Sequence, residues 1–315
     1  MPDDLVRRRR LGALGVLAAL ALVAGLATGA GGSDDEPPAA AGTDDPRLED
    51  QPPRPQLPGG GRRLFPDRRV VAFYGSPVDD ELGALGIGTP AQAARRLRRQ
   101  ARGYATRTRP VLPAFELIAT LATAAPGADG KHRMHLPDGT IRRYLRAARK
   151  ARALLVLDIQ PGLAQFGPEI ERLRRWLEEP DVGLALDPEW HVAPGEVPGK
   201  VIGRMDADAV NGAAAYLSKI VRERDLPEKL LLVHRFTDDM IVNDGRLRAF
   251  PGVRTVVNVD GFGGREVKVA KYQQFVRRTP RAGRGFKLFY KEDAGLMRPR
   301  SVMAMQPRPD VVVYE

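Results

Sequence analysis

Residues 153–190 read ALLVLDIQPGLAQFGPEIERLRRWLEEPDVGLALDPEW. Two apolar runs, ALLVLD (153–158) and VGLALD (182–187), flank a stretch in which Ile170, Leu173, Trp176 and Leu177 recur at helical spacing. Strands covered on both faces of a parallel sheet have this short, Val- and Leu-rich character. The helical stretch between them is the crossover that two parallel strands require. Both runs end in Asp.

The unit repeats along the chain. Further runs are VVAFYGS (70–76), RPVLPAFE (109–116), KLLLVH (229–234), VRTVVNVD (253–260), FKLFY (286–290) and DVVVYE (310–315), which makes eight. Thr89-Pro90 supplies an N-cap and a first-turn proline. Ala94, Leu97, Ala101 and Tyr104 then share one helical face, as do Ile141, Tyr144, Leu145 and Ala148, and Val210, Ala214, Leu217 and Val221. Arginines fill the opposite faces, as on an outer ring of helices. Segments 238–250 and 294–308 are irregular, the first short for a helix and the second broken by proline. Val70 to Glu315 is 246 residues, and a closed barrel of eight strand–helix units takes about 250. The expected fold is therefore α/β, a (β/α)8 TIM-type barrel over 70–315 without an eighth helix. The alternative is an open doubly wound sheet.

The N-terminal part reads differently. Arg7–Arg10 precede Leu11–Ala30, twenty uncharged and almost wholly apolar residues, enough to cross a bilayer as a helix of about 30 Å. Small residues at Ala27, Gly29 and Ala30 also suit a signal peptidase. Residues 1–30 are thus a membrane anchor or a cleaved signal peptide, with the arginines on the cytoplasmic side. Residues 31–69, rich in Pro, Gly and acids, read as a disordered linker. The expected location is extracytoplasmic, secreted or anchored through residues 11–30.

The chain has 50 Lys and Arg against 39 Asp and Glu, and no Cys. Disulfide scaffolds, thiolate metal sites and cysteine nucleophiles are excluded. Residues 1–61 hold six Arg and nine acids, so the net +11 of the chain becomes +14 for the remainder. The arginines are spread over many helices without interleaved aromatics, which argues against nucleic acid as partner.

Polar residues cluster where a barrel keeps its chemistry. Tyr74, Glu116, Asp158, Asp187, His234, Asp260 and Glu315 lie at or near the ends of successive runs. In this fold those ends converge on one rim. The fourth run is the sharpest. If the strand stays extended, Asp187 and Glu189 point to the same side, and crowded carboxylates push one partner toward the neutral form a general acid needs. Trp190 beside them suits stacking on a sugar ring.

At this point the chain resembles chitinase-type glycoside hydrolases, barrels whose fourth strand ends in Asp-x-Asp-x-Glu. Asp187 and Glu189 match the last two acids, and Ala185 stands at the first. Over 70–315 the runs YGSP, LDIQPG, LDPEW, VDGFG and KLFY also resemble an uncharacterised exported actinobacterial family, which implies a secreted barrel. The resulting expectation is a hydrolase of an envelope or environmental polysaccharide. Glu189, Asp187, Asp158 and Asp260 are the candidate catalytic residues. Tyr74, Glu116, Gln160, Trp190, His234 and Lys287 are candidates for substrate binding. The expected partner is a glycan or envelope polymer, with no cofactor, metal or protein partner. A non-catalytic glycan-binding barrel is the alternative, and metal-assisted hydrolysis through His234 and the acids is a third. His132 and His135, near Asp129 and Asp138, read as a solvated loop. Phosphate-loop and serine-elbow motifs are absent.

Overall fold

The structure, a computed structural model, describes residues 53–315. Eight parallel strands form a closed barrel: β1 (Arg69–Gly75), β2 (Val111–Ala122), β3 (Leu154–Ile159), β4 (Val182–Leu186), β5 (Lys229–Arg235), β6 (Val253–Val259), β7 (Gly283–Leu288) and β8 (Val311–Tyr314). Each pairs with its neighbours in chain order. The ring closes through β1, which pairs with β2 (Ala72 opposite Ala114) and with β8 (Ala72 opposite Val313). Each of the eight apolar runs contributes one strand, and the open-sheet alternative fails because β1 has partners on both edges.

The outer helices follow from the apolar stripes: α1 (Pro90–Ala101), α2 (Asp138–Lys150), α3 (Phe166–Arg172), α4 (Arg174–Leu177), α5 (Ala207–Glu223), α6 (Arg265–Arg278) and α7 (Pro299–Met303). Thr89 caps α1 in a capping box with Gln92. The irregular segments are those expected. Between β5 and β6 lies a 3-10 turn (Asp244–Arg246), and α7 has five residues.

Alternation along the strands makes two cores. One lies between strands and helices and takes Val71, Phe73, Phe115, Leu155, Leu157, Leu184 and Val257 with the helix stripes. The other fills the barrel with Val70, Ala72, Leu112, Ala114, Leu154, Val156, Leu232, Val256 and Val313. Gly285 belongs to the inner face, where a Cβ would stand 2.6 Å from Asn258 Oδ1, so only glycine fits.

The linker expected over 31–69 does not extend to residue 69. Leu57 and Leu64 are buried in the interior cluster beside Val70, Leu112, Leu154 and Val311, and so floor the barrel at its N-terminal end. The strap is tied down by polar bonds to the loop before β5. Leu64 N donates to Glu228 Oε2 (2.7 Å), Glu228 N donates to Arg62 O (2.8 Å), and Arg62 and Arg54 both pair with Asp225. Composition hid this because two leucines suffice for a plug and show no period. The expected helix over 11–30 lies outside the described residues. Among the described residues, no helix is long and apolar enough to cross a membrane.

Candidate active site at the carboxyl ends of the strands

The inward positions of the strands are apolar at the floor and polar at the top. Tyr74, Asp158, His234 and Lys287 are inward residues near the ends of β1, β3, β5 and β7, and Glu116 lies opposite Tyr74 midway along the longer β2. Asp187, Asp260 and Glu315 follow β4, β6 and β8. Except for Glu315, all are buried to 4% exposure or less. The barrel therefore joins into one cluster residues that are up to 241 positions apart in the chain.

His234 is its centre. Nε2 lies 2.7 Å from Glu116 Oε1 and Nδ1 lies 3.0 Å from Asp260 Oδ2. Burial alone would lower the imidazole pKa. The Glu116 carboxylate, with Asp187 and the bond to Asp260, outweighs burial and Lys287 and holds it well above the usual histidine range. This surrounding favours the protonated ring, in which both nitrogens donate. Lys287 Nζ lies 2.7 Å from Glu315 Oε2, 3.8 Å from Asp260 Oδ2 and 3.7 Å from the centre of the Tyr74 ring. Gln160 Nε2 donates to the Tyr74 hydroxyl (2.8 Å). Burial first, then Asp158 and the other acids, push that hydroxyl far above its ordinary value, so it stays protonated.

Asp158 differs from its neighbours. It is fully buried, and neither carboxyl oxygen has a hydrogen-bond partner among the described residues. Burial, then the charges of Asp187 and Glu116, raise its pKa well above the carboxylate range against His234 and Lys287. A neutral carboxylic acid beside an anionic one is the arrangement that general acid catalysis at neutral pH requires.

The fourth-strand geometry departs from expectation. β4 ends at Leu186, Asp187 has φ −112° and ψ 86°, and Pro188–Trp190 form a 3-10 turn. The chain is not extended past Asp187, so the two-residue spacing does not carry Glu189 into the barrel alongside it. Pro188 sets that turn. Asp187 is 3% exposed, and its Oδ2 accepts from Trp190 Nε1 at 3.1 Å. Glu189 and Trp190 are half-buried on the rim.

Glu116, Asp158 and His234 each offer a ligand atom within 4.8 Å of the others, a separation one cation would span. His191, after the 3-10 turn that follows β4, has its Nδ1 2.8 Å from Arg204 O, and the two remaining histidines lie in the hairpin that extends β2. His135 Nε2 pairs with Glu169 (2.8 Å), and His132 Nδ1 bonds Ala124 O (3.0 Å).

Two contributors escape sequence reading. Asn258 lies one inward step below Asp260, with Nδ2 3.5 Å from His234 Nδ1, and the alternation in VVNVD is the signal that points to it. Lys268 on α6 donates to Lys287 O (3.0 Å) and Asp293 (2.7 Å) and so fixes the end of β7. No local pattern announces that pair, because it depends on how α6 seats against β7. The chain matches no protein-family model and no curated protein.

Proposed function

We propose that the protein is an extracytoplasmic hydrolase of a glycosidic bond in an envelope or environmental polysaccharide. The observation that carries this reading is the buried Asp158 carboxyl, unbonded at both oxygens, next to Asp187 at the mouth of a barrel. Asp158 donates its proton to the glycosidic oxygen as the bond breaks. Asp187 supplies the negative charge that an oxocarbenium-like transition state needs, and water adds to the anomeric carbon, its released proton restoring the acid. Trp190 offers its ring to a sugar face, and its indole N–H holds the Asp187 carboxylate in place. The Glu116–His234–Asp260 triad and Lys287 set the charge around the acid and engage sugar hydroxyls. Glu189, on the rim, contacts substrate rather than acting as the acid.

The test is a screen of purified protein against envelope polysaccharides, with Asp158→Asn and Glu189→Gln in parallel. Loss of a positioned general acid costs about 10²–10⁴ in kcat/KM. Asp158→Asn is expected to lose that much and Glu189→Gln less than tenfold. The reverse result returns the acid to Glu189. Binding without turnover makes the protein a glycan-binding barrel.

One observation favours a second reading. The Glu116, Asp158 and His234 atoms are close enough to hold a divalent cation, with Asp260 on the far nitrogen of the ring in the manner of a carboxylate–histidine–metal triad. Stoichiometric metal in dialysed wild-type protein, lost in Asp158→Asn, selects it. Metal-free protein that turns over glycan selects the carboxyl acid.

A further inference from the structure

Beside the mouth, the first barrel loop, α1 and the segment after β7 enclose a groove of about 640 Å³. It shares Ala84, Ile87 and Tyr290 with a small recess that reaches Glu315, the partner of Lys287. At the other side it shares Ile87, Arg96 and Arg99 with an open depression that adds Arg95. The three run together, so one path leads from the acidic mouth over an aromatic to a cationic surface.

Its parts are built, not incidental. Tyr290 is 43% exposed, and its ring is backed by the barrel. It stacks on buried Tyr314 with centroids 5.4 Å apart, and its hydroxyl donates to Gln100 Oε1 (3.2 Å). Gln100 in turn donates to the Tyr314 hydroxyl (2.8 Å). Arg96 is spent on the wall, donating to the carbonyls of Ala84 (2.9 Å) and Ile87 (2.7 Å). Arg95 and Arg99 are exposed and have no hydrogen-bond or ion-pair partner among the described residues. A flat aromatic takes a sugar face, and two guanidinium groups pair with carboxylates.

We infer that this groove binds units of the substrate chain beyond the cleaved bond, and that the chain is a carboxylate-bearing polysaccharide. Sugar rings lie on Tyr290 while their carboxylates face Arg95 and Arg99. The acidic mouth would repel a fully ionised chain. The groove supplies the attraction that places such a chain across it. The inference rests on the hydrolase reading only for which end of the ligand enters the mouth.

Binding is measured by calorimetry on the whole protein carrying Asp158→Asn, so that turnover does not intervene. The probes are oligogalacturonate and the same oligosaccharide after carboxyl reduction. Oligogalacturonate is expected to bind at least tenfold tighter than the reduced form. Arg95→Ala with Arg99→Ala should erase that difference, and Tyr290→Ala should weaken both probes. Arg222→Ala, which removes an exposed charge from α5, should change neither. Equal affinity of the two probes for the parent protein, or an unchanged preference in the double arginine variant, overturns the inference. So does single-stranded DNA of equal charge binding as tightly, which would mark a general anion surface. A protein that binds as expected but hydrolyses nothing loses the hydrolase reading and keeps the groove. One that hydrolyses only neutral glycans loses the groove and keeps the hydrolase.

Discussion

At the scale of single residues, the site trades stability for chemistry. Asp158 has a folded pKa above its unfolded one, so its contribution to stability is full in acid and is lost as pH rises through the folded value. Asn removes that loss while keeping the shape. Asp158→Asn is expected to melt higher than wild type at pH 8 and by a smaller margin at pH 5. A domain of this size gains about 2–4 °C for each kcal/mol relieved. Equal margins at the two pH values would mean that Asp158 is ionised in the fold. Lys229 has the opposite sign. Burial lowers its pKa to about 7 against the pull of Asp181 and Glu179, while it donates to the carbonyls of Val182 and Glu179. Between about 7 and the unfolded 10.5 the unfolded chain holds the extra proton, so this residue makes stability rise with pH. Lys229→Met should flatten the urea midpoint between pH 7 and 9 relative to wild type. A steeper slope in the variant would contradict the assignment.

At the scale of elements, the strap before β1 matters most. A barrel of eight short strands leaves an apolar floor, and Leu64, fully buried, with Leu57 closes it. Leu64→Ala should cost about 2–5 kcal/mol, as for other buried leucines. Arg54→Ala, which removes an exposed, solvent-screened ion pair, should leave the denaturation midpoint close to that of wild type. Chemical denaturation measures both. A near-neutral Leu64→Ala would show that the floor closes without the strap. The 3-10 turn after β4 is the other decisive element. It separates two acids that a continued strand would have aligned, and it leaves Asp187 buried and Glu189 on the rim.

At the scale of the whole molecule, closure of the sheet creates the site. Eight strand ends, each with a polar residue, become one buried cluster only because β1 pairs with both β2 and β8. Exposed arginines crowd the outer helices, where Arg95 and Arg99 border the groove beside α1. The mouth keeps the acids. Strand number, strand order and the polar rim were legible in the sequence, since short apolar runs recur eight times and helical apolar spacing recurs between several of them. Gln160, Glu116 and His234 were also legible as members of the rim, because each ends or follows an apolar run. What the imidazole touches was not, because Glu116 lies 118 residues from His234.

The amino-acid order by itself determined that the chain alternates buried strands with one-sided helices and that carboxyl and imidazole groups sit at the strand ends. Burial on both faces shows as an unbroken apolar run and burial on one face of a helix as a 3.6-residue period, and any local window displays both. Only the tertiary structure decided that Leu57 and Leu64 plug the floor, that Asp158 rather than Glu189 is the desolvated acid, and that Tyr290 stacks on Tyr314. Those outcomes depend on which groups meet across the closed ring and on how much water their meeting excludes, and neither is a property of neighbours in the chain.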